Sequence, residues 1–129
     1  MAESTLPIRE EVVVSVEVAY AAQHSRPGHE MFVYFITLEN RGPETVQLLR
    51  REWFILEGET QVGYVNDEGV VGHKPILEPG QIYQYNSFCP LASPPGSMHG
   101  FYTFQTVLGE LFRVRIPRFE LRKPFRMLN

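Results

Sequence analysis

The feature that most constrains the fold of this chain is an alternation of apolar and polar residues with a period of two. Valines occupy every second position from Val12 to Val18, and Glu11, Ser15 and Glu17 stand among the positions between them. This spacing is typical of a β-strand with one buried face, because successive side chains of a strand point to opposite sides of the sheet. No stretch of the chain has the i, i+3, i+4, i+7 apolar spacing of an amphipathic helix. The sequence therefore predicts an all-β protein.

A second alternating segment runs from Phe32 to Leu38, and its intervening positions are apolar as well. Val33 and Phe35 fill two of these positions. A strand that is apolar on both faces is expected at the centre of a sheet, with side chains covering it from both directions. We therefore predict a central strand here, covered on both faces.

Turn-forming sequences divide the rest of the chain into short segments rich in strand-forming residues. The further predicted strands are 46–50, 52–56, 60–65, 82–89, 98–107 and 111–116, and 118–122 is predicted as an edge piece or a bent continuation beyond Pro117. Seven to nine strands at roughly ten-residue intervals predict a β-sandwich. We expect one domain over residues 1–129, with a core at about 11–122, a short N-terminal tail and a basic C-terminal tail.

Cysteine content and the distribution of apolar residues bound the cellular setting. Cys89 is the single cysteine among 129 residues, which excludes an internal disulfide and a cysteine-based zinc site. A reducing compartment is therefore favoured. The N-terminal residues have no apolar core of signal-peptide length, and no apolar run approaches the ~18 residues of a membrane span. We predict a cytoplasmic protein that does not engage a membrane.

The balance of charge argues against nucleic acid as a partner. Twelve lysines and arginines against fifteen acidic residues give a net charge of −3. Half of the cationic residues nevertheless fall in the last seventeen positions: Arg113, Arg115, Arg118, Arg122, Lys123 and Arg126. They are either a solvated strand face with a basic tail or a patch for phosphate or an acidic partner. The candidate interaction patch comprises Arg113, Arg115, Arg118 and Arg122.

The residues that catalysis usually requires are sparse. Asp67 is the only aspartate, so an aspartate dyad or a paired-aspartate metal site cannot form. No nucleophile-elbow sequence is present for a serine triad. Cys89 could act as a nucleophile with a distant histidine, but a small buried residue on a strand is the favoured interpretation. We expect a protein that is not an enzyme and that has no cofactor.

The histidines do not form a recognisable metal motif. His24, His29, His73 and His99 have neither the i, i+2 nor the i, i+4 spacing of common metal ligands. His73 and His99 lie beside the two most loop-like segments and could meet in space, with acidic residues at 67 and 68 nearby. They are therefore retained as weak candidate ligands for a divalent cation.

A glycine-rich segment is the candidate ligand loop. Its residues are Gly69, Val70, Val71, Gly72, His73 and Lys74. Glycines there suit backbone with positive φ, and free N–H groups could bind an anion. A dinucleotide fingerprint would need a glycine where Asp67 stands, and Pro75 prevents the helix that should follow. The loop is therefore either a tight connection between strands or an altered anion-binding loop.

A set of short motifs in a fixed order resembles the ApaG family. The motifs are Val46-Gln47-Leu48-Leu49-Arg50-Arg51-Glu52-Trp53, Gly69-Val70-Val71-Gly72, Pro75, Leu77-Glu78-Pro79-Gly80, Tyr83-Gln84-Tyr85-Asn86-Ser87, Gly96-Ser97-Met98-His99-Gly100-Phe101-Tyr102 and Ile116-Pro117-Arg118-Phe119-Glu120-Leu121. The resemblance implies an immunoglobulin- or fibronectin-III-like sandwich. It also implies a genetic link to cobalt resistance and magnesium efflux, and a gene that often neighbours a diadenosine tetraphosphate hydrolase.

The same resemblance implies two kinds of function. The ApaG domain is treated as a protein-binding module in an F-box ubiquitin-ligase subunit and in a polymerase-delta-interacting protein. Some family members carry a complete G-x-G-x-x-G, taken to suggest pyrophosphate binding, and Asp67 departs from that pattern here. The resemblance supplies no catalytic residue.

Two functional expectations follow. The favoured one is a non-catalytic module that binds an unidentified protein partner, as a monomer or a homodimer, and that exposes an apolar patch of several hundred Å². The alternative is a binder of a nucleotide pyrophosphate or a divalent cation through residues 69–74. It predicts a concave site where backbone N–H groups and an arginine converge. Arg113, Arg115 and Pro117 are expected to protect an edge strand from pairing.

Overall fold

The computed structural model describes residues 5–124, and within this range the chain forms eight strands. They are β1 (Val12–Tyr20), β2 (Glu30–Asn40), β3 (Val46–Glu57), β4 (Thr60–Glu68), β5 (Ile76–Leu77), β6 (Ile82–Leu91), β7 (Gly96–Thr106) and β8 (Leu111–Leu121). The only helical element in this range is a 3₁₀ turn at Ala22–His24. No helix of the described chain has the length and apolarity needed to cross a membrane.

The strands form two antiparallel sheets. The first sheet has the order β1-β2-β6, and the second has the order β4-β3-β7-β8, with β5 pairing with the start of β3. Their inner faces enclose one apolar core, so the predicted all-β sandwich is confirmed.

Trp53 of β3 lies at the centre of the core and is 2% exposed. Its ring contacts Tyr34 of the first sheet at a centroid distance of 5.3 Å and Phe119 of β8 at 5.8 Å. Tyr102 of β7 meets the same indole edge-on at 6.4 Å. Aromatic residues in tilted and edge-to-face pairs bury a large area and add a specific geometric preference. Trp53 therefore joins the inner faces of both sheets.

The third strand corrects the sequence prediction of two separate pieces at 46–50 and 52–56. Residues 46–57 are one strand, paired with β7 throughout, and a bulge between Leu48 and Arg50 shifts the register. The three consecutive charged residues Arg50, Arg51 and Glu52 look like the end of one strand and the start of another in the sequence. Arg51, however, is half-buried and donates to two backbone carbonyls, so a charged residue is accommodated within the strand.

The second strand is central in its sheet, as predicted, but the expectation that both of its faces are covered is wrong. Phe35, on the face away from the core, is 46% exposed. The sandwich has two layers, so only one face of each sheet packs against the other sheet. An apolar residue on the opposite face remains in contact with solvent.

The last strand lies at an edge of the second sheet and runs through Pro117 to Leu121, so residues 118–121 continue an edge strand. Its register against β7 shifts between Met98 and Gly100. The N-terminal segment also covers part of this edge. The N–H of Arg113 donates to Pro7 (2.8 Å), and the N–H of Arg9 donates to Arg113 (2.9 Å). The edge is therefore covered by backbone pairing as well as occupied by charge and proline.

Candidate interaction surface

Residues 69–74, the candidate ligand loop, form a tight hairpin turn after β4. Val71 and Gly72 occupy its two central positions with φ of 46° and 79°. The N–H of Val70 donates to the carbonyl of His73 (2.8 Å), and the N–H of His73 donates back to Val70 (2.9 Å). Positive φ at both central residues is the requirement of the primed turns that join hairpin strands.

The base of this turn is fixed to β3. The N–H of Gly69 donates to Leu49 (2.8 Å), and Arg51 Nη1 donates to the carbonyls of Glu68 and Gly69, both at 2.9 Å. A Cβ at Gly69 would lie 2.5 Å from the His73 carbonyl oxygen, which explains the glycine. The N–H groups of Gly69, Val70 and His73 and the guanidinium of Arg51 therefore already donate hydrogen bonds to backbone carbonyls of the protein.

The two weak metal candidates lie in different parts of the second sheet. His99 stacks on Phe54 with ring centroids 5.2 Å apart, whereas His73 belongs to the turn that is anchored at Leu49. Leu49 and Phe54 are five residues apart along β3, or about 17 Å. Within the described residues, no group of three or more histidine, cysteine, aspartate or glutamate side chains is placed to hold a metal ion.

The basic C-terminal residues separate into two groups. Arg113 and Arg115 lie over the ring of Phe101, with guanidinium carbons 4.4 Å and 5.6 Å from its centroid. Arg118 and the exposed Arg122 lie further along β8 and after it, beside a depression of about 270 Å³. Arg118 Nε is 3.8 Å from the Glu120 carboxylate. Arg126, the last arginine of the predicted basic tail, lies outside the described residues.

A buried carboxylate that the sequence analysis missed lies at the start of β2. Glu30 is 7% exposed, and it accepts a hydrogen bond from the Tyr20 hydroxyl (2.6 Å). Lys123 Nζ lies 3.5 Å away. The Tyr20 hydrogen bond lowers the pKa of Glu30 against the opposing effect of burial, and Lys123 lowers it further. The sequence did contain a signal for this burial. Glu30 lies two positions before the buried Phe32, so both side chains point to the same face of β2.

Burial keeps the thiol of Cys89 and the hydroxyls of Tyr85 and Tyr102 in their protonated forms. Burial raises the pKa of the Cys89 thiol to about 11, and the carboxylate of Glu57 adds to this effect. The hydroxyls of Tyr85 and Tyr102 hydrogen-bond to each other, and burial raises the pKa of both. A thiolate is the nucleophilic form of cysteine. Cys89 is therefore protonated at neutral pH, and the interpretation of a small buried strand residue is confirmed.

The outer face of the first sheet carries an uncovered apolar surface, which we call the first-sheet patch. It consists of the exposed Phe35 and Phe88 together with the half-buried Met31 and Val33. Phe88 is 65% exposed and lies opposite Val33 in the pairing of β2 with β6. A shallow depression of about 310 Å³ beside it is lined by Ala21, His24, Met31, Val33 and Phe88. The patch therefore places two aromatic side chains in contact with solvent on one outer face of the sandwich.

The geometry thus defines a two-sheet β-sandwich protein with a closed glycine-rich turn and an apolar patch on one outer face. Residues 20–106 match the family model described as the ApaG domain. The chain belongs to the ApaG family, as the sequence motifs indicated. Protein ApaG of Acidithiobacillus ferrooxidans is 45% identical over 113 residues, which cover 86% of this chain and 89% of that one. Protein ApaG of Methylorubrum extorquens is 42% identical over 115 residues, covering 88% of each chain.

Solved structures share the same architecture. A Bordetella pertussis protein described as ApaA superposes with a TM-score of 0.84 at 37% identity, covering 88% of this chain and 94% of that chain. A protein from Archaeoglobus fulgidus has a TM-score of 0.52 at 8% identity, covering 87% of this chain and 98% of that one. The second likeness concerns the fold alone.

Proposed function

We propose that this protein is a non-catalytic, cytoplasmic interaction module that binds a protein partner through the first-sheet patch. The observation that supports the proposal most directly is the exposure of Phe35 and Phe88, at 46% and 65%. Aromatic residues are enriched in the buried centres of protein interfaces, where they contribute much of the binding energy. The packing of the three-stranded sheet against the β4-β3-β7-β8 sheet, to which β5 adds a short fifth strand, also supports a fibronectin type III-like sandwich.

The surroundings of the patch support a protein partner of mixed polarity. Glu17 faces Phe35 across the β1–β2 pairing, and Asn86 faces it from β6. Thr37 and Gln84, hydrogen-bonded to each other at 3.1 Å, continue the polar border along the sheet. An apolar centre with a polar border is the usual composition of a non-obligate interface. The partner is therefore expected to present an apolar side chain to Phe35 and polar groups around it.

The alternative, a small-ligand binder acting through residues 69–74, has less support. Three N–H groups of that turn and the Arg51 guanidinium already bond to backbone carbonyls. A family role in cobalt resistance or magnesium efflux would then be exerted through the protein partner, not through a metal site of this chain.

The test compares capture of proteins by the wild type and by Phe35→Lys. Val62→Lys is a matched control, because Val62 is 49% exposed on the outer face of the second sheet. We expect at least one protein to be bound by the wild type and by the control but lost with Phe35→Lys. Titration of that purified protein should then give a dissociation constant raised at least tenfold.

Two results would count against the proposal. One is an identical set of captured proteins for all three variants. The other is a rise in Tm of the protein when diadenosine tetraphosphate, ATP, pyrophosphate, Mg²⁺ or Co²⁺ is added. A ligand present at a hundred times its dissociation constant adds about 2.7 kcal/mol of stability. Such a shift would restore the small-ligand alternative.

A further inference from the structure

The free edge of the first sheet at β6 is less protected than the other edges. Its residues, Ile82 to Leu91, include no charged side chain, and its one proline, Pro90, lies next to the end of the strand. In contrast, β8 carries arginines and Pro117 and pairs with the N-terminal segment, β4 ends in Asp67 and Glu68, and β1 carries Glu17. Charge and proline on an edge strand oppose pairing with another strand. Among the four long edge strands of the described chain, β1, β4, β6 and β8, the strand β6 is therefore the least protected against pairing.

The pairing with β2 fixes which backbone groups of β6 point to the open edge. The N–H of Asn40 donates to Gln81 (3.0 Å), so Gln81 directs its carbonyl to β2. Antiparallel strands alternate between bonded and non-bonded residues. The residues that direct N–H and C=O groups away from β2 are accordingly Ile82, Gln84, Asn86 and Phe88. Their side chains share the outer face of the sheet, since they have the same parity.

The sequence of these four residues is self-complementary about Tyr85. If a second β6 runs antiparallel with Tyr85 opposite its own copy, Ile82 lies opposite Phe88 and Gln84 lies opposite Asn86. Ile82 and Phe88 are 58% and 65% exposed, so each pair joins uncovered apolar surfaces. The two amide side chains form the inner pairs. We propose that the occupant of this edge is a second copy of the chain, in a twofold-symmetric dimer.

Neighbouring registers match less well. Moving the centre to Asn86 places Phe88 opposite Gln84 and Ile82 opposite Pro90, which has no N–H to donate. Moving it to Gln84 places Phe88 opposite Gly80, beyond the end of the strand. The Tyr85 register alone among the three pairs apolar with apolar and amide with amide. It also allows all four outward N–H groups to donate.

The dimer joins the two first sheets into one six-stranded sheet and brings two first-sheet patches onto a continuous face. A closed twofold pairing uses the same edge in both copies and leaves neither β6 edge open. A single strand pair with two apolar contacts is a small interface, so we expect association in the micromolar range. The dimer goes beyond the proposed function and does not require that any other protein bind.

Sedimentation velocity over a series of concentrations measures this association. The wild type should shift from the 14.9 kDa of one chain to twice that mass. Ile82→Lys and Phe88→Glu should each raise the dissociation constant at least tenfold, because each places an isolated charge opposite an apolar residue. The double variant should recover most of the association, since each introduced lysine then faces an introduced glutamate of the other copy.

Two controls separate edge pairing from other effects. Val62→Lys places the same charge on the outer face of the second sheet and should leave the mass unchanged. Phe35→Lys, which tests the proposed function, lies on β2 and should also leave it unchanged. Amide hydrogen exchange should show the N–H groups of Gln84 and Asn86 becoming protected as concentration rises.

A wild type that keeps the mass of one chain at every concentration would overturn the proposal. Single variants that associate like the wild type would show that a dimer forms elsewhere. A double variant no better than the single variants would refute the Tyr85 register. Each of these results is independent of whether Phe35→Lys abolishes capture of another protein.

Discussion

The two outer faces of the sandwich both carry aromatic residues, but they differ in what covers them. On the second sheet, Arg113 and Arg115 cover Phe101, and Phe54 lies between Tyr64 and His99, with centroid distances of 5.1 and 5.2 Å. On the first sheet, no such group of the described chain covers Phe35 and Phe88, which are 46% and 65% exposed; Tyr64 of the second sheet is 45% exposed, but its ring packs on Phe54. Aromatic residues that are covered within the chain contribute to its own stability, whereas exposed ones are available to a partner.

The same difference extends to the backbone. In the second sheet β3 and β7 approach so closely that a Cβ at Gly100 would lie 1.8 Å from the Glu52 carbonyl oxygen. In the first sheet β6 has an open, uncharged edge. The second sheet is therefore the part whose disturbance should unfold the protein, and the first sheet is the part whose disturbance should change its associations.

The largest expected effect is that of Gly100→Ala in the second sheet. Overpacking where side chains can move costs about 1–3 kcal/mol. Here the obstacle is backbone, so we expect a loss of more than about 3 kcal/mol in the free energy of unfolding. Urea denaturation measures it. Thr103→Ala, on the outer face of the same strand, is the control and should cost far less; a Gly100→Ala variant as stable as this control would show that the sheet can relax.

A smaller effect should separate the two kinds of aromatic residue directly. Phe101→Ala removes contacts with two guanidinium groups, each worth about 0.5–1 kcal/mol at an exposed site. We expect it to destabilise the protein by about 1–2 kcal/mol more than Phe35→Ala, as measured by urea denaturation at low ionic strength. Equal losses would contradict the distinction between covered and uncovered aromatic residues.

The smallest effect concerns pH and the end of the first sheet. The hydrogen bond from Tyr20 lowers the pKa of Glu30 in the folded protein. The bond therefore stabilises the fold fully at pH values above the pKa of glutamate in the unfolded chain, about 4.3. This contribution is lost as the pH falls through the lower pKa of the folded state. Tyr20→Phe should therefore lower Tm at neutral pH, and the difference from the wild type should shrink below about pH 4.

A Glu30→Gln background provides the control for that measurement. With no carboxylate to titrate, the effect of Tyr20→Phe on Tm should be the same at every pH. If Tyr20→Phe still lowers Tm in acid when Glu30 is intact, the packing of the tyrosine ring, and not its hydrogen bond to the carboxylate, stabilises this end of the sheet.

Much of the fold was predictable because strand pattern is local. The alternation at Val12 to Val18 and at Phe32 to Leu38 identified two strands correctly, and a continuation beyond Pro117 was one of the two predicted alternatives. The continuity of β3 through Arg51 was missed because the carbonyl groups that receive its guanidinium, those of Glu68 and Gly69, are distant in sequence. The two-residue β5 was also missed, because its sequence is too short to show a period.

The candidate sites were less predictable, because they depend on which strands become neighbours. The sequence identified Gly69 and Gly72 as residues with unusual backbone requirements, but not that the turn's N–H groups would bond within the protein. Arg113, Arg115, Arg118 and Arg122 appeared as one basic patch, although Phe101 attracts only the first two. Phe35 and Phe88 were visible as apolar residues without any sign of their exposure.

The sequence by itself determined the all-β class, the positions of most strands and the membership of the ApaG family. Those properties depend on alternation, turn residues and motif order, all of which are local. Only the tertiary structure decided that the outer face of β2 lies toward solvent and that β6 forms an open edge. The physical reason is that a strand's pattern records which residues are apolar, whereas their burial depends on which sheet and which edge the strand occupies.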